Sequence, residues 1–348
     1  PNTASTFTVS TTKPSRTGYT FAGWYTAASG GTKVGTEYTV GSNNQAKNQS
    51  ATLYAHWTAN NYTVTLQPSG GRLNIGDGSI TKNSDGSATF KVIYDTTNYY
   101  NLGITASKTG YQVNGFYDNT SGGKKLWNNG GACLNDGTYW LNNKWHYAGD
   151  VTLYVQWTAN TYTIKLDGNG NTSGTMSNIN ATFDKEIKLP ASTFRKTEYH
   201  FIGWSTTKNG EVKYKDGETI KNLTPDQGKI VTLYAVWKEL PKAKGVDIAI
   251  IKDDGVKMIN NNTLESFVHT ELQLTIANNE DNITLQSYKI LNLDEIKSKI
   301  NNTESQSEIE IKVEVTYSTG DKSYKVINKD GTPCKLKVLT LVLGDSEQ

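Results

Sequence analysis

Three stretches of this sequence share one ending: ATLYAHWTANNYTVTL at residues 51–66, VTLYVQWTANTYTIKL at 151–166 and VTLYAVWKEL at 231–240. Apolar and polar residues alternate in them, so that Leu153, Val155 and Trp157 face one side of an extended chain. The pattern predicts a half-buried β-strand that a tryptophan closes. The residues that follow alternate as well, which predicts a second, opening strand for the next copy.

A second shared block precedes each of these endings. It reads GYTFAGWYT at 18–26, GYQVNGFYD at 110–118 and EYHFIGWST at 198–206. Two matched blocks in a fixed order indicate an internal repeat. In each block a glycine stands just before the aromatic residue, which favours a β-bulge or a close backbone approach there; these are Gly23, Gly115 and Gly203.

The three copies differ in length. Trp24 and Trp57 lie 33 residues apart, as do Trp204 and Trp237, whereas 41 residues separate Phe116 from Trp157. The second copy therefore carries inserted residues. The first copy has only 23 residues before Trp24 and no opening strand.

These blocks resemble the Listeria/Bacteroides repeat, also known as the internalin B-repeat family. The first copy carries GYTFAGWYTAASGGTKV and ATLYAHWT almost in full, and the other two copies match more loosely, with Phe116 and Ser205 as departures. The resemblance covers roughly residues 1–238. It implies a compact β-grasp-like fold, arrayed along secreted or surface-anchored bacterial proteins, and it implies no catalysis.

The repeats suggest a division of the chain into four parts. We predict a first repeat without its opening strand at residues 1–58, a second repeat with insertions at 59–158, a third repeat at 159–238 and a different β-rich domain at 245–348. The first two connectors are four residues long, which favours stiff junctions. The third connector holds Pro241 and ends at Gly245, which favours a hinge.

The last domain resembles no family that we recognise. Five runs predict strands, at residues 246–251, 267–276, 309–315, 323–327 and 334–342. Residues 294–301 predict a short helix with Asp294 as its cap. We predict a β-sandwich-like module, so that the whole chain is mainly β, a β-rich α+β protein with tandem β-grasp-like repeats.

Composition and charge exclude several functions. The formal net charge is +2, and no run approaches 18 apolar residues, so the sequence predicts neither nucleic-acid binding nor membrane insertion. The four histidines lie in separate segments without a metal motif, and no catalytic motif is found, so we expect neither a metal, nor a cofactor, nor an enzyme. The chain begins with Pro1 and shows no signal-peptide pattern, which favours an excised fragment.

The insertion in the second repeat is the one place where the sequence indicates a ligand. Flat aromatic rings beside amides and carboxylates can stack on sugars and hydrogen-bond their hydroxyls. The alternative is that these rings bury one another as a satellite core under a long loop. The candidate binding residues are Trp127, Asp136, Tyr139, Trp140, Trp145 and Tyr147.

The leading functional prediction is a structural spacer or adhesin segment, extracellular or on the surface of a bacterium. A second hypothesis is a module that binds a host or environmental glycan or a surface protein through the aromatic loops. A third is self-association into a filament, in which the first repeat accepts a strand from a neighbouring subunit.

Overall fold

The computed structural model describes residues 5–40, 51–98, 103–131, 133–252, 261–302 and 306–340. Strands far outnumber helices in these residues, which confirms the predicted β-rich fold. The finer likenesses, to a β-grasp and a β-sandwich, stay predictions. The chain divides into two compact units, Pro1–Asn160 with Pro225–Gln227 and Thr161–Thr224 with Gly228–Gln348.

The first repeat, in the first unit, forms two small antiparallel sheets. Strand β1 pairs with β3 and strand β2 pairs with β4. The rings of Phe21 and Trp57 meet edge to face 5.7 Å apart on the second sheet. The strands are β1 (Ser5–Thr8), β2 (Tyr19–Tyr25), β3 (Glu37–Val40) and β4 (Tyr54–Ala59).

The second repeat, also in the first unit, contains a six-stranded sheet. Its order is β11-β10-β14-β5-β8-β7, with β14 parallel to β5 and the other pairs antiparallel. Val64 and Leu66 of β5 are fully buried, as the alternation predicts. The strands are β5 (Asn61–Gln67), β6 (Arg72–Ile75), β7 (Thr81–Lys82), β8 (Ala88–Ile93), β9 (Ile104–Ser107), β10 (Tyr111–Tyr117), β11 (Lys125–Trp127), β12 (Trp140–Leu141), β13 (Lys144–Trp145) and β14 (Val151–Ala159).

The third repeat, in the second unit, repeats the central order of strands. Its sheet runs β16-β15-β20-β18, with β15 parallel to β20, and matches β8-β5-β14-β10 of the second repeat. Ile164 and Leu166 of β15 are buried in its core. The strands are β15 (Thr161–Asp167), β16 (Ile179–Thr182), β17 (Ile187–Lys188), β18 (Tyr199–Ser205), β19 (Thr219–Ile220) and β20 (Ile230–Glu239).

The glycine before the aromatic residue forms a β-bulge in all three repeats, as predicted. The strand register shifts at Gly23, Gly115 and Gly203, whose φ angles are +136°, +143° and +146°. A Cβ at Gly203 would come within 2.7 Å of the Tyr214 carbonyl oxygen. Only glycine therefore meets both the backbone angle and the space at this position.

The tryptophans that close the second and third repeats fasten the turn after the opening strand. Trp157 Nε1 donates to the Pro68 carbonyl at 3.1 Å, and Trp237 Nε1 donates to the Gly168 carbonyl at 3.0 Å. Each indole thus packs on the sheet and satisfies its N–H in a part-buried place. Pro68 and Gly168 each lie two residues after the last leucine of the opening strand, so the two bonds are equivalent.

The C-terminal module, in the second unit, has a core of its own that includes residues from Leu240 to Val338. Its sheets run β23-β21-β28, β22-β29-β25 and β24-β26-β27, and helix α1 contacts helix α2. The elements are β21 (Ala243–Lys244), β22 (Ile248–Lys252), α1 (Asn261–Leu272), β23 (Thr275–Ile276), β24 (Leu285–Ile290), α2 (Leu293–Asn302), β25 (Ser307–Glu310), β26 (Val313–Tyr317), β27 (Lys322–Ser323), β28 (Val326–Ile327) and β29 (Lys335–Thr340).

Helix α1 corrects most of the strand that we predicted at residues 267–276, of which Thr275–Ile276 do form strand β23. Leu264, Val268 and Leu272 are fully buried and lie four residues apart, so they form one stripe of a helix. The alternation of residues 267–276 favours a strand, whereas the four-residue spacing of these three residues favours a helix. The helix forms because it buries all three side chains in the core. The predicted helix at 294–301 is confirmed, but it begins at Leu293, so Asp294 lies in its first turn.

The single strand predicted at residues 309–315 is also corrected. The chain leaves one sheet after Glu310 and enters another at Val313. Asn292 holds the break open, because its Oδ1 accepts the Lys312 amide at 2.9 Å and its Nδ2 donates to the Glu310 carbonyl at 2.8 Å. The side-chain amide of Asn292 thus takes the place of strand-to-strand hydrogen bonds at this point.

The third connector is part of the C-terminal module and not the hinge that we predicted. Leu240 and Ala243 are buried in its core, and β21 pairs with both β23 and β28. Tyr317 also donates its hydroxyl to the Pro241 carbonyl at 2.6 Å. The proline therefore marks a fixed crossing between the third repeat and this module.

Candidate functional site

The inserted residues of the second repeat fold as a small aromatic hairpin. Strands β12 and β13 pair Trp140 with Trp145 across a two-residue turn. Asn142 and Asn143, which form this turn, have φ angles of +51° and +63°. Asparagine tolerates this left-handed backbone better than most residues do, which explains the Asn-Asn pair.

The hairpin brings three tryptophans together. The Trp127 and Trp140 rings meet edge to face at 5.7 Å, and those of Trp140 and Trp145 do so at 5.5 Å. All three side chains are 0% exposed. Aromatic groups packed in this geometry contribute more than their buried area alone. These rings are part of the repeat's core.

Two tyrosines cover one side of this cluster. Tyr139 is buried and its hydroxyl donates to Asp118 at 3.0 Å, while Tyr147 is 36% exposed. Burial, followed by the hydrogen bond to Asp118, raises the pKa of the Tyr139 hydroxyl well above its usual value. Tyr139 thus stays a neutral donor, and Tyr147 presents the most exposed ring of the predicted set.

Asp136 has a structural task in the hairpin. Its Oδ1 accepts the backbone amides of Thr138, Tyr139 and Trp140 at 3.1, 2.8 and 3.1 Å. A carboxylate that accepts three amides fixes the turn that aims Tyr139 and Trp140 inward. Its other oxygen lies 3.9 Å from Lys124 Nζ.

The structure thus brings all six predicted residues into one cluster. The indole rings of the three tryptophans, however, are turned inward. A sugar cannot stack on a ring that is 0% exposed. Trp127, Trp140 and Trp145 are buried in the main core of the second repeat and not in a separate satellite core, and ligand binding at this cluster stays a prediction.

The sequence predicted a stiff junction between the first two repeats, but it did not indicate the contacts that form it. Asn60 alone separates β4 from β5; its amide donates to the Gly18 carbonyl, and its carbonyl accepts the Tyr94 amide, both at 2.9 Å. Tyr19 donates its hydroxyl to Asp95 at 2.9 Å. The residue between the repeats is thus bonded to both of them.

A second junction joins the third repeat to the C-terminal module. Glu198 occupies the position of Gly18 and has a φ angle of +71°. Its carboxylate accepts the Ser323 hydroxyl at 2.6 Å and the Tyr324 amide at 2.8 Å. The signal in the sequence is that glutamate, in the third repeat, replaces the glycine that begins this block in the other two.

Charged side chains extend this second junction. Lys238 Nζ lies 2.6 Å from an Asp281 carboxylate oxygen, and His200 Nε2 lies 3.5 Å from the same atom. The bond from Lys238 lowers the pKa of Asp281, and burial lowers the pKa of His200. A neutral imidazole thus sits beside a lysine–carboxylate pair.

An open cleft of about 960 Å³ lies elsewhere on the second repeat. Arg72, Lys108, Gln112 and Asn129 are among its lining residues. Lys108 Nζ lies over the Tyr111 ring at 4.0 Å, which holds this cation against the wall of the cleft. Sequence reasoning gave no indication of this cleft.

The described residues hold no cluster of three or more His, Cys, Asp or Glu side chains placed to bind a metal ion. Both cysteines, Cys133 and Cys334, are buried, and they do not form a disulfide with each other. Neither helix of the described chain has the length and hydropathy needed to cross a bilayer.

Comparison with known proteins supports the resemblance that the sequence showed. The profile of the Listeria-Bacteroides repeat domain matches residues 2–56 and 162–236. These two ranges are the first and third repeats, and the strand order shared by the second and third repeats extends the likeness to the segment between them. The predicted family resemblance is confirmed for the matched residues.

Three relatives share parts of the sequence. Internalin H of Listeria monocytogenes is 31% identical over 155 residues, which is 43% of this chain and 21% of that protein. A protein of Evansella cellulosilytica named as a Gly-rich membrane protein is 31% identical over 136 residues, 38% of this chain and 14% of that protein. Another from the same organism, named as a membrane protein, is 25% identical over 236 residues, 64% of this chain and 28% of that protein. The matches thus span less than a third of each relative.

Proposed function

We propose that this chain, whose residues 2–56 and 162–236 match the Listeria-Bacteroides repeat domain, is a spacer segment of a bacterial cell-surface or secreted protein. Two of its relatives are named as membrane proteins and one as an internalin, which supports a place at the cell surface. The spacer holds other parts of the parent protein at a distance from the cell and performs no catalysis itself.

The junction at Asn60 is the observation that carries this proposal. A spacer keeps a distance only if its modules resist bending where they join, and a flexible linker would let them approach each other. Here one residue joins β4 to β5, and its amide and carbonyl are bonded to opposite repeats. Tyr94 adds a ring contact at 5.4 Å to Tyr19 of the first repeat.

Distance measurements between spin labels test the stiffness of this junction. Labels at Thr39→Cys and Lys82→Cys report on the first and second repeats, and both native cysteines are buried away from the reagent. We expect one narrow distance distribution. We expect the additional change Tyr94→Ala to broaden it and Leu141→Ala, a change of an exposed residue on the aromatic hairpin, to leave it narrow. A broad distribution in the parent labelled protein would contradict the proposal.

The location needs a separate test in the organism that makes the protein. Antibodies raised against residues 1–348 should bind to intact cells or detect the protein in the culture medium. Labelling that appears only after the cells are permeabilised would contradict a surface or secreted location, whatever the stiffness of the junction.

A further inference from the structure

The paired middle and closing strands of the first and third repeats correspond residue for residue. An offset of 180 aligns Trp24 with Trp204 and Trp57 with Trp237. The register of these strands agrees with this alignment, because Trp24 pairs with Ala55 and Trp204 pairs with Ala235, each one residue after the bulge glycine. The third repeat is therefore a reference for the surroundings of the closing strand in the first.

In the third repeat the closing strand has neighbours on both sides. Strand β20 pairs with β18 and also, in parallel, with the opening strand β15. Ile164 lies opposite Val231, and Leu166 lies opposite Leu233. Strands β14 and β5 of the second repeat form the same parallel pair, with Leu66 opposite Leu153. An opening strand in this place is thus the rule in the other two copies.

The first repeat has a groove in the corresponding place. Among the described residues, β4 pairs with β2 alone. Beside it lies an open groove of about 480 Å³, whose lining includes Val9, Trp24, Val40 and Leu53.

Three of these positions are core residues in the third repeat. The counterparts of Trp24, Val40 and Leu53 are Trp204, Ile220 and Leu233, which are 0%, 6% and 0% exposed around β15. In the first repeat each of the three is only partly buried. The walls of an apolar core are therefore present in the groove, and a strand between them is not among the described residues.

We propose that this groove binds an extended peptide segment as an added β-strand, parallel to residues 51–54. The segment carries apolar, preferably β-branched or leucine, side chains at alternate positions, which face Ala51 and Leu53 as Ile164 and Leu166 face Val231 and Leu233. Main-chain hydrogen bonds supply affinity in this mode of recognition, and the alternate side chains supply selectivity.

The occupant is a segment without a sheet of its own and not a second folded copy of this chain. Strand β5 is paired on both sides, with β14 and β8, and β15 is likewise paired with β20 and β16. Donating either strand would break two ladders to form one. A separate, unpaired segment binds without that loss.

A labelled peptide tests the proposal on the full 348-residue chain. The probe is NTYTIKLDG, the sequence of residues 160–168, followed by fluorescence anisotropy. We expect saturable binding, and about tenfold weaker binding when lysine replaces both the Ile and the Leu of the peptide, because the groove then receives charge in place of apolar surface. This comparison leaves the protein unchanged, so it does not depend on the folding of a variant.

Protein variants locate the site. We expect Leu53→Lys to weaken binding about tenfold and Thr39→Lys, an exposed change on β3, to leave it unchanged. No binding by the unmodified chain, equal binding of both peptides, or full binding by Leu53→Lys would each overturn the proposal. Self-association that Leu53→Lys abolishes and the peptide does not displace would also overturn it, since a second copy would then fill the groove.

Discussion

The ring of Tyr94, in the second repeat, lies against the α-carbon of Gly18 in the first repeat. A Cβ at Gly18 would come within 2.3 Å of the ring, and the φ angle of +78° favours glycine. This contact lies beside the bonds of Asn60 and closes the junction between the two repeats.

We predict that Gly18→Ala destabilises the protein more than a matched glycine change does. Gly30 has a similar φ angle of +69° but has open space where a Cβ would stand. Both changes carry the cost of about 1–2 kcal/mol for a left-handed alanine, and only Gly18→Ala also displaces Tyr94. Thermal unfolding should show the larger loss for Gly18→Ala; equal losses would indicate that the ring contact contributes nothing.

A second prediction concerns Glu198, which bonds the third repeat to the C-terminal module. Removing its carboxylate by Glu198→Ala leaves the Ser323 hydroxyl and the Tyr324 amide without this acceptor. We expect a loss of about 1–3 kcal/mol in the free energy of unfolding, measured by denaturant titration. The exposed Glu211→Ala is the control, and a loss of the same size there would argue against the junction.

The stability of the same junction should depend on pH through His200. The pKa of this imidazole is lowered in the folded protein, and burial is the largest cause. The nearby Asp281 and Asp321 carboxylates raise it by less, and Lys238 lowers it further. The unfolded chain therefore binds a proton first as pH falls below about 6.5. The stabilising contribution is fully present above this value and is lost as pH falls through the lower pKa of the folded state.

The change His200→Gln should flatten this dependence. The measurement is the unfolding midpoint between about pH 7.5 and pH 5, since an uncharged glutamine binds no proton in this range. His269→Gln in α1 is the control, because that ring stacks on Tyr288 away from the junction. An unchanged slope for His200→Gln would show that other groups carry the dependence.

The aromatic hairpin gives a fourth prediction. Trp145→Ala should lower the free energy of unfolding by about 3–5 kcal/mol, because it leaves a cavity among fully buried rings. Leu141→Ala, on the same hairpin and 41% exposed, should change it by less than about 1 kcal/mol. A glycan array for both proteins separates the two roles: a Trp145→Ala variant of unchanged stability that loses glycan binding would favour the ligand site.

The repeats themselves could be predicted from the sequence because their signals are local. The alternation around Trp157 and the glycine before Trp204 each constrain neighbouring residues only, and the structure shows the strand and the bulge that they predict. The strand predicted at residues 267–276 was wrong up to Leu272, where α1 ends, because two periods compete there. Contacts of Leu264, Val268 and Leu272 with a distant core, and not local preference, selected the helix.

The candidate site shows the same division. The sequence indicated that Trp127, Trp140 and Trp145 act together, and their ring distances of 5.5–6.5 Å agree. Whether their faces point to solvent or inward could not be predicted. Aromatic residues in an insertion either bind a ligand at the surface or pack in the core, and the same sequence pattern fits both. Packing of the three rings in the core of the second repeat decided it, and Asp136 fixes only the turn before Trp140.

The sequence by itself determined that this protein is built from β-rich repeats, because a strand's alternation and a bulge's glycine are written in adjacent residues. Only the tertiary structure decided how the modules join and which surfaces stay open. Gly18 meets Tyr94, and Glu198 meets Ser323. Such pairs are far apart in the chain, so their contact depends on the packing of whole modules and leaves no local pattern to read.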